Sequence, residues 1–276
     1  MEFKSHGTTL FYEEAGLRDG EPIVFVHGFP FTSRTWTPQV QALKGRYRII
    51  TFDNRGHGRS QTGDGQYPFE FFVDDLIQML HHLQLSRIAI CGLSMGGYII
   101  LRALERDASR FRAAVLCDTR SEADSNETKL KRAEGVRIIK EEGLSAYAKG
   151  FVKGVISSHN QSARPELVRT VTDIILSNSA PGIAAALLAM AGRTDTTASL
   201  SRIRIPVMIL VGADDAATPV QAARSMHDRI PGSRLAIIPD AGHLSNLEND
   251  ATFNEHLLNF LTGLESSRRP AGSRAE

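Results

Sequence analysis

The feature that most constrains the fold of this 276-residue chain is a Gly-x-Ser-x-Gly motif at residues 92–96. A short, apolar and β-branched run precedes it at residues 87–91, and apolar side chains with helical spacing follow it at residues 98–104. Ser94 is therefore predicted to lie on a tight turn between a buried strand and a helix, with its hydroxyl exposed above the sheet. The first amides of that helix would face an oxyanion formed beside Ser94, which makes this serine the candidate nucleophile.

A catalytic serine needs a base in contact with it, and the base needs a carboxylate that orients it. Of the nine histidines, His243 lies on a loop that follows an apolar strand candidate and precedes the final predicted helix. Another predicted strand, at residues 207–211, is followed by Asp214 and Asp215. Serine, aspartate and histidine thus occur in this order, each after its own strand. Because a lone Gly-x-Ser-x-Gly motif can also be a glycine-rich turn, this order is what favours a catalytic role.

These motifs and their order resemble the α/β-hydrolase fold family, and the resemblance covers residues 8–264. It implies an α/β fold with a mostly parallel sheet flanked by helices. The implied domains are a hydrolase core at residues 1–120 and 202–264 and a helical cap at residues 121–201. The polar composition of residues 265–276 predicts a flexible tail.

The resemblance also selects the acid of the triad. In this family the acid commonly lies three residues after a strand-terminal glycine and shortly before a proline, which corresponds to Asp215. Asp214 is then a solvated loop carboxylate. Some relatives carry the acid after the preceding strand, so Asp118 is the alternative.

The oxyanion hole follows from the same resemblance. One amide belongs to the residue after a His-Gly pair and the other to the residue after the nucleophile, which here are Phe29 and Met95. His27 and His57 lie in loops that resemble the family's, and we expect them to hold those loops rather than to transfer protons.

Composition restricts the partners and the location of the protein. A formal net charge of +1 leaves no basic stripe, so neither nucleic acid nor an anionic membrane is an expected partner. No apolar run has membrane-spanning length and no secretory signal is visible, which predicts a cytoplasmic location. No metal-ligand motif is present, so neither a metal nor another cofactor is predicted, and Cys91 and Cys117 are expected to be buried free thiols. Assembly into a homo-oligomer is left open.

From residue 121 to about residue 201, the alternation of strands and helices gives way to successive helical segments, at residues 127–142, 144–156, 165–178 and 182–191. The resemblance implies that this cap roofs the site and selects the substrate. We expect it to form an apolar pocket for small to medium acyl groups, using Phe151, Val152, Val155, Ile156, Ile174, Ile175, Leu187, Leu188 and Met190. An arginine beside Ser94, such as Arg132, Arg137 or Arg193, would instead favour an acidic enol-lactone.

Serine at the nucleophile position separates the chain from epoxide hydrolases and haloalkane dehalogenases, which use aspartate there. The predicted function is therefore that of a carboxylesterase, an enzyme that cleaves a small-molecule ester or lactone through an acyl-enzyme. Residues 91–97 and 242–248 are similar to those of 3-oxoadipate enol-lactonases. The alternatives are a hydrolase of carbon–carbon bonds and a ligand receptor or stress-signalling partner with slow turnover.

Overall fold

The computed structural model describes residues 1–266, and its centre is a sheet of eight strands. The strands are β1 Glu2–Ser5, β2 Thr8–Gly16, β3 Glu21–Val26, β4 Tyr47–Phe52, β5 Ile88–Leu93, β6 Phe111–Cys117, β7 Val207–Gly212 and β8 Arg234–Ile238. Their order across the sheet is β1-β2-β4-β3-β5-β6-β7-β8. The strand β2 runs antiparallel to both β1 and β4, and every later pairing is parallel. The predicted mostly parallel sheet is confirmed.

Helices cover both faces of this sheet. They are α1 Thr37–Leu43, α2 Glu70–His82, α3 Met95–Asp107, α4 Asn126–Glu141, α5 Leu144–Val155, α6 Ser158–Ala163, α7 Pro165–Leu176, α8 Ala180–Ala191, α9 Val220–Arg229, α10 Ser245–Glu248 and α11 Asp250–Ser266. Short 3₁₀ turns occupy Ser33–Trp36, Ala108–Arg110 and Thr197–Arg202.

The strands separate two hydrophobic cores because successive side chains point to opposite faces. In β3, for example, Val24 and Val26 pack into one core, whereas Ile23 and Phe25 pack into the other. Strands buried on both faces explain why these runs are continuously apolar in the sequence. The parallel strands also end at the same edge of the sheet, so the residues that follow β5, β7 and β8 come together there.

Five helices, α4 to α8, lie between β6 and β7, where the sequence predicts the cap. Four of them correspond to the predicted helical segments, and the short helix α6 was not anticipated. The division of the chain into a core and a cap domain stays a prediction. The last helix continues through Ser266, so the first two residues of the predicted tail are helical, and residues 267–276 lie outside the described part of the chain.

Two further observations concern composition. The thiols of Cys91 and Cys117 are free and buried on neighbouring strands, with their Sγ atoms 3.6 Å apart. Within residues 1–266 no single helix is long and apolar enough to span a membrane, although α7 and α8, which meet at a bend of 91°, have that length and apolar character when taken together.

Candidate active site

Ser94 lies between β5 and α3 in a strained backbone conformation, with φ 51° and ψ −110°. A positive φ is unfavourable for a residue with a side chain and persists only where the surroundings enforce it. Here Ser94 N donates to Cys117 O at 2.9 Å, and Thr119 Oγ1 donates to Ser94 O at 2.8 Å. The turn also requires Gly96, because a Cβ there would overlap Val26 O and lie 2.8 Å from Val26 C.

The structure brings Ser94, His243 and Asp215 into one hydrogen-bonded chain. Ser94 Oγ lies 2.9 Å from His243 Nε2, and His243 Nδ1 lies 2.9 Å from Asp215 Oδ2. A carboxylate only accepts hydrogen bonds, so Nδ1 carries the proton and Nε2 is free to accept the serine proton. All three residues are at most 9% exposed, so their hydrogen bonds are shielded from water.

Asp215 is fixed by the turn that follows it. Its Oδ1 accepts from Ala217 N at 2.8 Å and from Thr218 N at 2.9 Å, while Thr218 Oγ1 donates to Oδ2 at 2.7 Å. Burial opposes the charged form of Asp215, but His243 and Thr218 outweigh burial and lower the pKa of this carboxyl. No motif in the sequence predicts the contribution of Thr218, whose only signal is its position three residues after the acid.

The His243 ring is held as a stronger base than an ordinary histidine. Burial disfavours the protonated ring, yet the neighbouring Asp215 carboxylate outweighs burial and raises the pKa of His243 above 6.5. The imidazolium that forms when the ring takes a proton is therefore stabilised.

Asp118 occupies a different position from the one expected of an alternative acid. Its Oδ1 accepts from Gly212 N at 2.8 Å and its Oδ2 accepts from Ser245 Oγ at 2.5 Å. Burial, followed by the charge of Asp215, raises the pKa of Asp118 well above its usual range. Asp214 is exposed to solvent. Among these three aspartates, the structure places Asp215 against His243.

The loop that carries Phe29 lies directly against the nucleophile. A Cβ on Gly28 would lie 3.2 Å from Ser94 Cβ and 3.1 Å from Leu93 O. Phe29 lines the same cavity as Ser94, and Met95 is the first residue of α3, where backbone amides have no partner within the helix. This arrangement is compatible with an oxyanion hole formed by these two amides, which stays a prediction.

His27 and His57 are bound within their loops. His27 Nδ1 lies 2.8 Å from Gly28 O, and His27 Nε2 accepts from Asn54 N at 2.9 Å. His57 Nδ1 lies 2.9 Å from Arg55 O, and burial, followed by the neighbouring His27, lowers the pKa of His57 to about 3. Both rings are in contact with backbone rather than with Ser94, as expected of residues that hold loops.

Glu248 is a further buried carboxylate, and no motif in the sequence predicts its role. Its Oε1 accepts from Gly242 N at 2.9 Å, and its Oε2 accepts from Ser157 N and Asn160 Nδ2, both at 2.9 Å. It thereby joins the loop of His243 to the segment between α5 and α6. Only its position five residues after His243 points to this role in the sequence.

A cavity of about 300 Å³ opens beside Ser94 and His243. Its apolar wall includes four of the expected residues, Phe151, Val155, Leu187 and Met190. The remaining five residues of the predicted pocket do not line it, and Leu188 is 58% exposed.

The cavity is only partly apolar, because basic side chains form another wall, and this arrangement corresponds to the alternative in which an arginine lies beside Ser94. Arg120, Lys131 and Arg132 line the cavity together with Asp124. Of the three arginines considered from the sequence, Arg132 is thus at the site.

The other two arginines are engaged elsewhere. Arg137 is exposed and pairs with Glu134 and Glu141. Arg193 stacks on Tyr98, with its guanidinium carbon 3.9 Å from the ring centre, and pairs with Asp124 at 3.1 Å.

Within residues 1–266, no group of three or more histidine, cysteine, aspartate or glutamate side chains is arranged to hold a metal ion.

Comparison with known proteins gives the family. A sequence model of the alpha/beta hydrolase fold matches residues 21–250. The 3-oxoadipate enol-lactonase 2 of Acinetobacter baylyi is 29% identical over 250 residues, which cover 89% of this chain and 90% of that protein. The putative non-heme bromoperoxidase BpoC of Mycobacterium tuberculosis is 29% identical over 276 residues, covering 93% of this chain and 99% of that protein.

Among solved structures, a thermophilic esterase from Thermogutta terrifontis, solved with malate bound, superimposes with a TM-score of 0.90 and 33% identity. The match covers 95% of this chain and 97% of the esterase. With the family match extending over most of the sequence and with the same fold throughout, the chain belongs to the α/β-hydrolase fold family.

Proposed function

We propose that the protein is a carboxylesterase that cleaves esters or lactones through Ser94, His243 and Asp215. The observation that carries this proposal is the unbroken chain of 2.9 Å contacts from Ser94 Oγ through His243 to Asp215, at the wall of a cavity large enough for a small substrate. A serine activated in this way attacks carbonyl carbon.

In the first half of the reaction, Ser94 Oγ bonds to the ester carbonyl carbon while His243 Nε2 takes the serine proton. The carbonyl oxygen becomes an oxyanion, which the amides of Phe29 and Met95 stabilise. The bond to the leaving oxygen then breaks, and His243 gives its proton to that oxygen. The alcohol of an ester then leaves, whereas the new hydroxyl of an opened lactone stays attached to the acyl group. In both cases the acyl group remains on Ser94.

In the second half, water attacks the acyl carbon and gives one proton to His243. Collapse of this intermediate breaks the bond to Ser94 Oγ, which takes the proton back from His243. The products are one carboxylic acid and one alcohol, joined in a single hydroxy acid if the substrate was a lactone. Asp215 remains ionised throughout and holds the ring in its tautomer.

The relatives support hydrolysis of an ester bond, since they include an esterase and an enol-lactonase. They also include a protein named as a bromoperoxidase, which is the competing activity to test. A cytoplasmic location stays a prediction.

The test is hydrolysis of p-nitrophenyl butyrate by the wild-type protein and by Ser94→Ala. We expect Ser94→Ala to lower kcat by at least about 10³-fold, because loss of the nucleophile removes the covalent route. The exposed Ser145 on α5 offers a matched control, and Ser145→Ala should stay within about twofold of wild type. Thermal unfolding of each variant shows whether the fold is retained.

Other outcomes would contradict the proposal. Retention of more than about a tenth of the rate by a folded Ser94→Ala protein would remove Ser94 from the nucleophile role. Halide oxidation with hydrogen peroxide but no ester hydrolysis would favour the bromoperoxidase activity. Cleavage of a vinylogous diketone alone would favour a carbon–carbon hydrolase, and a single slow turnover would favour a receptor.

A further inference from the structure

We propose that Arg120 is a specificity-determining residue that binds a carboxylate of the substrate, so that the preferred substrates are short anionic esters or lactones. This inference rests on the proposed hydrolysis at Ser94 and adds the substrate class. It starts from the basic wall of the cavity beside Ser94, which the hydrolytic mechanism itself does not use.

Arg120 lies in the loop after β6, and its side chain lines the cavity that contains Ser94 and His243. It is half-buried, and its Nε is inaccessible to solvent and has no hydrogen-bond acceptor. Across residues 1–266 this guanidinium has no carboxylate partner within ion-pair distance. A guanidinium presents five N–H donors, and leaving such donors buried and unpaired is unfavourable.

Two buried arginines of this chain, by contrast, each have a carboxylate partner. Arg55, 2% exposed, donates from Nε to Asp75 Oδ2 at 2.6 Å and from Nη2 to Asp75 Oδ1 at 2.5 Å. Arg193 Nη2 donates to Asp124 Oδ1 and to the backbone carbonyl of Glu122. Arg132 and Arg193 both pair with Asp124, whereas Arg120 has no such carboxylate among residues 1–266 and its donors are left for a ligand.

The charge balance of the cavity favours an anion. Arg120, Lys131 and Arg132 are the basic residues of its wall, and Asp124 is the acidic one. Asp124 already accepts from both Arg132 and Arg193, so it does not neutralise Arg120 or Lys131. The whole chain carries a formal net charge of only +1, which makes this positive charge a local property of the site.

A carboxylate is the anion that fits best. The planar guanidinium fork pairs with two carboxylate oxygens at once, and the cavity of about 300 Å³ is small. Phe151, Leu187 and Met190 line the remaining wall and would contact an apolar spacer. The substrate class is therefore an ester or lactone in which a few carbons separate the scissile carbonyl or the leaving oxygen from a carboxylate.

The experiment compares two matched pairs of esters. Mono-p-nitrophenyl glutarate and p-nitrophenyl pentanoate differ by a charge on the acyl side, and 4-carboxyphenyl butyrate and phenyl butyrate differ by a charge on the alcohol side. In at least one pair, we expect Arg120→Gln to lower kcat/KM for the anionic ester about 10- to 100-fold more than for the neutral ester, mainly through KM. Arg120→Lys should recover part of this loss because it restores the charge.

Arg137→Gln is the matched control, because Arg137 is an exposed arginine outside the cavity. It should change kcat/KM by no more than about twofold for all four esters. The proposed role of Arg120 would be overturned if Arg120→Gln lowered kcat/KM equally for the charged and the neutral ester in both pairs. It would also be overturned if kcat/KM fell in neither pair.

A binding measurement tests carboxylate binding by Arg120 independently of the proposed hydrolysis at Ser94. Glutarate should bind the folded Ser94→Ala protein in calorimetry, and the further substitution Arg120→Gln should weaken this binding at least about tenfold. If no ester is hydrolysed but this loss of binding is seen, carboxylate binding by Arg120 is supported and the proposed function is wrong. If esters are hydrolysed but glutarate binding and the preference for anionic esters are both independent of Arg120, the proposal that Arg120 binds the substrate carboxylate is wrong.

Discussion

At the scale of single residues, three carboxyl groups near the end of β7 differ because their burial, neighbouring charges and hydrogen-bond partners differ. Asp215 contacts a histidine ring, Asp118 contacts a backbone amide and the Ser245 hydroxyl, and Asp214 faces solvent. Burial opposes the charged form of both buried carboxyls. At Asp215 it is outweighed by His243 and Thr218, which lower the pKa, whereas at Asp118 burial and the charge of Asp215 raise the pKa despite the two hydrogen bonds. Only the carboxyl that remains ionised against the ring can stabilise an imidazolium.

This difference predicts the effects of three asparagine substitutions. Asp215→Asn should lower kcat for p-nitrophenyl butyrate by about 10³- to 10⁴-fold, because an amide neither fixes the tautomer of His243 nor stabilises its charge. Asp118→Asn should cost less than about tenfold, because an asparagine can still accept from Gly212 N and can donate to Ser245 Oγ. Asp214→Asn is the exposed control. A larger loss from Asp118→Asn than from Asp215→Asn, in folded proteins, would exchange their roles.

The raised pKa of His243 predicts how the rate depends on pH. The ring acts as a base only when it is neutral, so kcat/KM should fall as the pH drops through the pKa of the free enzyme. Because Asp215 raises that pKa, the acid limb for a neutral ester should have its midpoint above pH 6.5. A midpoint clearly below 6.5, measured with p-nitrophenyl butyrate in buffers of constant ionic strength, would contradict the stabilising effect of Asp215.

At the scale of elements, the sequence predicts what depends on local periodicity. The apolar runs predict the strands, and the one-sided pattern of residues 69–83 predicts α2, whose buried face includes Phe72, Leu76 and Met79. The helix α6 has the sequence Ser-His-Asn-Gln-Ser-Ala, which lacks an apolar stripe, and its first turn is capped by Ser157 instead.

The same distinction applies to the candidate site: some of its residues belong to local sequence patterns, and others are brought there by long-range contacts. Ser94, Asp215 and His243 are predictable because each follows a strand and belongs to a motif, and the structure brings them together. The positions of Arg120 and Glu248 depend on how the cap helices fold back over the sheet. Periodicity carries no information about such long-range contacts, so it predicts neither Arg120 nor Lys131 at the cavity, whereas Arg132 is among the arginines that the sequence suggests.

The buried carboxylate of Glu248 predicts a structural effect. Glu248→Gln replaces one acceptor oxygen by an NH₂ group that faces N–H donors from the loop of His243 or from the cap. We expect the free energy of unfolding to fall by about 2–3 kcal/mol, because buried donors lose their acceptor. Urea denaturation measures this change, and the exposed Glu255 on α11 provides the control Glu255→Gln. Equal stabilities of the two variants would show that Glu248 does not hold these segments together.

At the scale of the whole molecule, the segment between β6 and β7 contacts the loops around Ser94 at two adjacent points. Asn178 Nδ2 donates to Pro30 O at 2.9 Å, and its Oδ1 accepts from Gly58 N at 2.7 Å. Next to it, the backbone of Gly182 in α8 packs directly on the backbone of Gly56. The helices that line the cavity are thus positioned through the loops that surround the nucleophile.

The close approach at Gly182 supplies a test of this arrangement. A Cβ at Gly182 would overlap Gly56 O and lie 2.8 Å from Gly56 Cα, so Gly182→Ala forces α8 away from the core. We expect a loss of about 1–3 kcal/mol in unfolding free energy and a higher KM, since Leu187 and Met190 of α8 line the cavity. Gly150 is the matched control, because it lies on α5 with open space around its Cβ position. Gly150→Ala should instead stabilise the protein by about 0.5–1 kcal/mol through helix propensity. Urea denaturation and ester kinetics on both variants measure these effects. If Gly182→Ala proves as stable and as active as Gly150→Ala, the packing of α8 on Gly56 does not determine the position of the residues that line the cavity.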